Sequence, residues 1–400
     1  MKSFSSLAAA VALWAGVATV QAAGGTPGAP AAATNSALAE KLVGQVADIQ
    51  QGELVQIDGS VADLQLLEDL AVAVRKRGAF PMITIESGTL WRRMVDEVPE
   101  RFDSQLRQFD LNLAGFVSAV IAVDIPDSEK ALAGVSASRL ALVYKADAAV
   151  YKRWLDRNVR VVDLGNGLYP SAGRAALFGM SEAELRKIYE DGLNVDYSQL
   201  QATAATMKSI LSAGKRVHLT APGGTDLTLD IAGQSTGTSD GIITPEKRKA
   251  GGAACQTWLP AGEVYFRTVP DSAEGKVVFD HFYFEFKDCR NVAFTVKAGK
   301  ITGITAETGL ERLREVYAAA APGKERLTAI DLGINPNIRL APGSRLRASM
   351  PAGMVSVNFG DDDWAGGDLS NGFGLGGPVA YGTLTLDGKT LIENGELKVK

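Results

Sequence analysis

The sequence predicts an α/β protein: an N-terminal domain with a mainly parallel sheet and flanking helices, followed by a β-rich α+β domain. Three observations lead there. From Ala37 to Lys215, short apolar runs alternate with stretches whose apolar residues recur at helical spacing, which is the pattern of strands joined by crossover helices. Several of these runs are apolar enough to be buried on both faces, as parallel strands are. After Gly214 the chain reads mostly as strands. The 400 residues suit about two domains of ordinary size, and the division is drawn as 37–240 and 241–400, with a soft boundary in the Gly/Ser/Thr-rich stretch from Gly233 to Gly252.

At the start, Lys2 and the apolar run from Leu7 to Val20 form the n- and h-regions of a secretory signal, and Val20-Gln21-Ala22 supplies a small-x-small cleavage site. Residues 1–22 are therefore expected to be a signal peptide and 23–36 a flexible Gly/Pro/Ala leader, giving a secreted or periplasmic protein with no stable membrane span after cleavage. Leu54-Val55-Gln56-Ile57 then reads as the first strand. Leu66, Leu67, Leu70 and Val74 form a helix stripe that ends on Lys76-Arg77-Gly78, a basic last turn with a glycine cap. Pro81–Ile85, Phe116–Ile125, Arg139–Tyr144 and Val159–Leu164 are read as four further strands. Ser181-x-x-Glu184 is a capping box that opens a helix bearing Leu185, Ile188 and Tyr189, and Leu200, Ala204, Met207 and Leu211 mark the next helix.

Beyond Gly214, Arg216–Thr220 and Leu227–Ile231 read as a β-hairpin turning through Pro222-Gly223-Gly224. Lys276–Phe286, Val292–Val296, Ile301–Thr305 and Val355–Phe359 are the clearest later strands. One helix, Thr308–Ala321, is expected to open on a second capping box, Thr308-x-x-Glu311, and to stop at Pro322-Gly323. The formal charge of −5, without a basic block or basic aromatic patch, offers nucleic acid no electrostatic footprint. Cys255 and Cys289 are the two cysteines; in an exported protein they are either a disulfide, stabilising by about 3–4 kcal/mol in the chain-entropy account, or two buried thiols.

The motifs converge on two segments. Pro260-Ala261-Gly262-Glu263-Val264 sets a carboxylate on a rigid turn ahead of a strand, and Gly333-Ile334-Asn335-Pro336 follows later in the chain. With Gly223-Gly224-Thr225-Asp226 upstream, the order resembles the thermophilic-type metallo-aminopeptidase family, which carries P-x-GEV and then E-x-x-x-G-x-N-P. The resemblance runs through nearly the whole mature chain. It implies metal-assisted hydrolysis of the N-terminal residue of peptides, a divalent ion (Zn, Co or Mn) and a tendency to form homodimers.

Carried over position by position, the resemblance makes Glu263 the first metal ligand. The second falls on Ala329, with Asp331 two residues on and on the same strand face. A third, a His in G-x-x-H, falls on Ser356, and the C-terminal His-x-Asp has no counterpart; a simple register puts Tyr381-Gly382-Thr383 there. The acidic loop from Asp361 to Asp368, with Asp363 and Asp368 as its candidate ligands, reads either as a hard-cation site or as a solvated loop. His218 and His281 sit on the polar parity of their strands and read as half-exposed residues. No Gly-x-Ser-x-Gly, Gly-x-x-x-x-Gly-Lys or Cys-x-x-Cys occurs. Three readings follow: an exported aminopeptidase that uses Glu263 with oxygen ligands; a metal-free relative binding a peptide or small-molecule ligand in the inter-domain cleft; and a redox relative, since dihydroxypyridine dioxygenases look similar to this family but need two His and a carboxylate for iron.

Overall fold

The computed structural model describes residues 29–124, 131–132, 134–339 and 343–399. The expected signal peptide and the first part of the leader lie outside them. The leader expected over 23–36 ends inside a helix, Ala29–Lys41. In the described part, no helix is long and apolar enough to cross a membrane.

Four strands and their helices build the first sheet. β1 (Leu54–Ser60), β2 (Phe80–Glu86), β3 (Ala119–Val123) and β4 (Arg160–Leu164) run parallel in the order β2-β1-β3-β4. β3 and β4 are buried at every position, β3 through its Val, Ile and Ala residues and β4 with Arg160 and Asp163 buried beside Val161, Val162 and Leu164. The helix Leu64–Lys76 carries its buried Leu66, Leu67, Leu70 and Val74 against one face, and Gly78 closes it at φ 75°. The capping box at Ser181 and Glu184 is formed, with both reciprocal hydrogen bonds present.

Two expectations about local structure are corrected. Arg139–Tyr144 is not a strand but part of the twenty-residue helix Ala137–Asp156, capped by Ser136. Its apolar residues are read in one short window as alternation, whereas over the whole segment Leu140, Asp147, Val150, Tyr151 and Trp154 are buried at helical spacing. The second capping box does not form. Thr308 bridges Arg290 in the sheet instead, and the helix Leu310–Ala319 starts after Gly309, whose φ of 80° turns the chain.

The chain does not change sheets at 240. The hairpin β5 (Arg216–Ala221) and β6 (Thr225–Asp230), together with β7 (Thr236–Ser239), already belong to the antiparallel sheets, and β8 (Gln256–Leu259) returns to pair with β4 and complete the five-stranded parallel sheet. β9 (Glu263–Arg267), β10 (Glu274–Phe284), β11 (Lys287–Lys297), β12 (Lys300–Thr305), β13 (Leu327–Gly333), β14 (Val355–Gly360), β15 (Gly374–Val379), β16 (Thr383–Leu386), β17 (Lys389–Glu393) and β18 (Glu396–Leu397) follow. They form an eight-stranded sheet, β12-β11-β10-β6-β5-β16-β17-β18, and a five-stranded one, β15-β14-β13-β9-β7.

The five-stranded antiparallel sheet has two unlike faces, because cross-strand partners share a side. One carries Val264, Phe266, Ile330, Leu332, Val355, Val357 and Phe359. It packs on the eight-stranded sheet through the ring pair Phe294 with Phe359, 5.4 Å apart, and Phe294 is backed within its own sheet by Phe279, 5.6 Å away. Each such pair is worth about 0.5–1.5 kcal/mol beyond area burial. The other face carries Glu263, Tyr265, Asp331, Ser356 and Asn358 and turns toward the parallel sheet and the helix Ala137–Asp156.

Candidate functional site

The two signature segments are tied to each other by backbone and amide contacts. Ile334 N–H donates to the Gly262 carbonyl at 2.8 Å, and Asn335 Nδ2 donates to the Ala261 and Gly192 carbonyls at 2.6 and 3.1 Å. Gly262 sits at φ 131°, and a Cβ there would come within 2.6 Å of Asn335. The glycine and asparagine of the motifs thus build the turn that presents Glu263.

Glu263 is fully buried at the start of β9, where its Oε1 accepts from Asn166 Nδ2 at 3.1 Å. It pairs across the ladder with Gly333, so Asp331, paired with Tyr265, is its diagonal neighbour on the same face. Diagonal neighbours are roughly 7–8 Å apart in such ladders. Asp331 is also fully buried and accepts from Asn358 Nδ2 at 3.1 Å. Ser356 lies opposite Asp331 and donates its hydroxyl to Ser349 at 2.9 Å.

Strand register extends this face onto β15. Residues reaching this face beside Asn358 and Ser356 are Gly376 and Pro378 on β15. The stretch Tyr381-Gly382-Thr383 lies past β15 and runs into β16, where Thr383 pairs with Thr220. Beside Glu263 and Asp331 the face holds Ala329, Ser356, Gly376 and Pro378, none of them an imidazole or a carboxylate.

Aromatic rings cover the same face. Tyr265 and Trp364 are 5.2 Å apart, and Trp258 stacks edge-on to both at 5.8 and 6.0 Å. Ala329 joins their apolar cluster with Val120, Ala122, Tyr151 and Trp154. Burial raises the Tyr265 hydroxyl's pKa above the ordinary phenol value, with Asp331 and Glu263 adding to it. Asp163, on the facing side of β4, is pushed up to about 8, chiefly by burial and then by Asp124.

The acidic loop is buried at Asp361, Asp362 and Asp363 and exposed at Asp368. Asp361 accepts from the N–H groups of Asn371 and Gly372 at 2.8 and 2.7 Å, and Asp362 pairs with Arg267 Nε at 3.0 Å. Asp363 is buried and accepts from Trp364 N–H at 2.8 Å, while Asp368 is exposed. Burial raises Asp361 to about 7 and Asp363 to about 6. Among the described residues, no three His, Cys, Asp or Glu side chains are grouped to hold a metal ion. The candidates Glu263 and Asp331 are brought to one face; Asp363 and Asp368 do not complete a ligand set with them.

Both histidines belong to the eight-stranded sheet. His218 is half-exposed, as expected, with Nε2 2.8 Å from Asp226. His281 is more buried than its parity suggests: Nδ1 meets Asp288 at 2.9 Å and the ring stacks on Tyr283. Cys255 and Cys289 are both buried free thiols, which settles that alternative against the disulfide. A donor set of two carboxylates, a hydroxyl and an amide, without an imidazole, is a poor match to the zinc, cobalt or manganese that the resemblance implies.

Sequence reading missed one wall of the interior. Tyr144, Asp147, Tyr151 and Trp154 face a cavity of about 230 Å³ that is bounded on its other sides by the end of β10 and by β15. The misread strand at Arg139–Tyr144 hid them; a helical count from Tyr144 would have put all four on one stripe.

The comparisons with known proteins agree with this architecture. No curated protein sequence matches the chain. Among solved structures, wild-type AmpT from Thermus thermophilus superposes with a TM-score of 0.66 at 19% identity, covering 92% of this chain and 99% of that one. The 2,5-dihydroxypyridine dioxygenase from Pseudomonas putida gives 0.59 at 13% identity, covering 92% and 98%. At these identities the likeness is one of fold. The model of the thermophilic metalloprotease (M29) family matches residues 33–335, most of the chain, and the protein therefore belongs to that family.

Proposed function

We propose that this family member is exported and binds a peptide or small-molecule ligand in the cleft between its parallel sheet and its antiparallel sheets, without metal-assisted hydrolysis. Membership gives aminopeptidase-like, metal-dependent hydrolysis at the level of the family. One observation supports departure from it in this chain. The face that presents Glu263 and Asp331 carries Ala329, Ser356, Gly376 and Pro378 at the remaining positions, and the rings of Trp258, Tyr265 and Trp364 pack against it. A carboxylate pair under three rings lacks the open coordination position that metal-activated water needs.

The competing reading, hydrolysis by a site rebuilt from oxygen ligands, has the family match in its favour. Both are tested together. The protein is chelated, refilled with Zn²⁺, Co²⁺ or Mn²⁺, and assayed on aminoacyl reporters beside Glu263→Ala, with bound metal measured by mass spectrometry. The expected result is less than one equivalent of metal and no turnover. Turnover that returns with metal and vanishes in Glu263→Ala overturns the proposal. Light scattering on the same samples tests the homodimer that the resemblance implies.

A further inference from the structure

The helix Ala137–Asp156 presents Tyr144, Asp147, Tyr151 and Trp154 to the 230 Å³ cavity at i, i+3, i+7 and i+10, so one helix face forms a wall. Two buried polar atoms on that wall have no hydrogen-bond partner among the described residues. They are Oδ2 of Asp147, a residue 8% exposed, and Nε1–H of Trp154, 4% exposed. Leaving a buried donor or acceptor unpaired costs its desolvation without return, so such groups are uncommon unless a ligand or water completes them. Here an acceptor and a donor, seven residues apart, belong to side chains that line the same cavity.

The charge around the cavity has a definite sign. Arg107 is shared between Asp147 and Asp110, the latter at 2.6 Å, so the trio keeps one negative charge when both acids are ionised. Asp361 and Asp363 also line the cavity and are held by backbone N–H groups, with no ion pair to Lys or Arg among the described residues. The cations on the lining are already engaged. Arg174 meets Asp124 at 2.7 Å, Arg347 Nε meets Asp280 at 3.0 Å, and His281 meets Asp288. Burial pushes Asp147 up to about 7, against the pull of Arg107, as expected of an acid that lacks a full counter-charge.

We propose that this cavity binds a compact aromatic amine bearing a hydrogen-bond acceptor, its ammonium on Asp147 Oδ2, its acceptor on Trp154 Nε1, and its ring among the aromatic side chains of the lining. The volume falls below the ~300–1,000 Å³ of sites for drug-sized ligands, which suits one ring and a short chain rather than an extended peptide. Tyr144, Trp154, Phe178 and Phe284 supply ring faces for stacking and for cation–π contact. A free carboxylate on the ligand would meet Asp147, Asp361 and Asp363, so a zwitterionic amino acid is disfavoured. The proposal rests on the metal-free binding reading above and names the ligand class.

The test is calorimetric titration of the full chain in the presence of a chelator, with tyramine, with its neutral analogue tyrosol, and with 3-(4-hydroxyphenyl)propionate. Tyramine is expected to bind at least about tenfold more tightly than tyrosol, the scale of one charged hydrogen bond, and the propionate not to bind. Asp147→Asn is expected to reduce tyramine affinity about tenfold or more. Ala148→Leu, which fills the cavity from the same helix, is expected to abolish binding while circular dichroism and Tm stay near wild type. Equal binding of tyramine and tyrosol, unchanged binding in Ala148→Leu, or no binding of tyramine by folded protein overturns the proposal. Should Asp147→Asn not fold, the analogue ratio and Ala148→Leu still decide. Hydrolysis of aminoacyl reporters by the zinc-loaded protein overturns the metal-free reading alone; absence of tyramine binding in an inert protein overturns the ligand class alone.

Discussion

Asn335 donates its side-chain amide to the carbonyl of Ala261 at 2.6 Å, joining the end of β13 to the turn that presents Glu263. The same amide reaches Gly192 at 3.1 Å, so one fully buried side chain holds the turn, the strand and a helix end together. Asn335→Ala leaves two buried carbonyls without this donor. It should lower unfolding free energy by about 1–3 kcal/mol in urea denaturation. Asn335→Asp, which removes the donor at nearly constant volume, should lose at least as much; a loss confined to the alanine variant would mean that packing, not the amide, matters.

Asp163 should make stability fall as pH rises. Burial raises its folded pKa from 3.8 to about 8, so the folded state holds a proton that the unfolded state releases near pH 4. The stabilisation is complete below pH 3.8 and is lost progressively up to about pH 8. Asp163→Asn, which cannot ionise, should therefore flatten the Tm profile between pH 5 and pH 8 and melt several degrees above wild type at the upper end. Parallel profiles for the two proteins would show that Asp163 is ionised in the fold at neutral pH.

Trp364 fills the space between the Glu263 face and the parallel sheet and donates Nε1–H to the Asp361 carbonyl at 2.9 Å. Trp364→Ala should cost about 3–5 kcal/mol through the cavity it opens, read from the denaturant midpoint at constant m-value. Trp364→Phe keeps most of the ring and should cost roughly 1 kcal/mol more than packing loss alone, for the hydrogen bond.

The thiols should be silent in the folded protein. Cys255 and Cys289 are buried and free, and burial pushes the Cys289 thiol up to about 11. A thiol reagent at pH 8 should react with neither until denaturant is added, and then with both. Reductant should leave Tm unchanged. A Tm drop on reduction, or the absence of titratable thiols after unfolding, would indicate a disulfide.

Much of this protein follows from local chemistry and was readable along the chain. Period and β-branched content predict β1, β3, β4 and the later hairpins, Ser181 and Glu184 announce a helix start, and Pro260-Ala261-Gly262-Glu263 announces a presented carboxylate. What local pattern cannot supply is competition between partners. Thr308 can cap a helix or bridge Arg290, and the sheet wins because Arg290 is already placed by β11. Leu140 and its neighbours fit a strand over six residues, and the helical period shows only when the count runs on through Tyr151 and Trp154, which pack against β3 and β4. The site divides the same way. Residue identity along the chain determined that imidazole ligands were missing and that Glu263 and Asp331 remained. Only the tertiary structure decided that Gly376 and Pro378 lie beside Ser356 and Asn358 on the Glu263 face and that three rings pack there. It also decided that Asp147 and Trp154 line a cavity, because register between distant strands and the docking of one helix are set by burial across the whole core, not by any one segment.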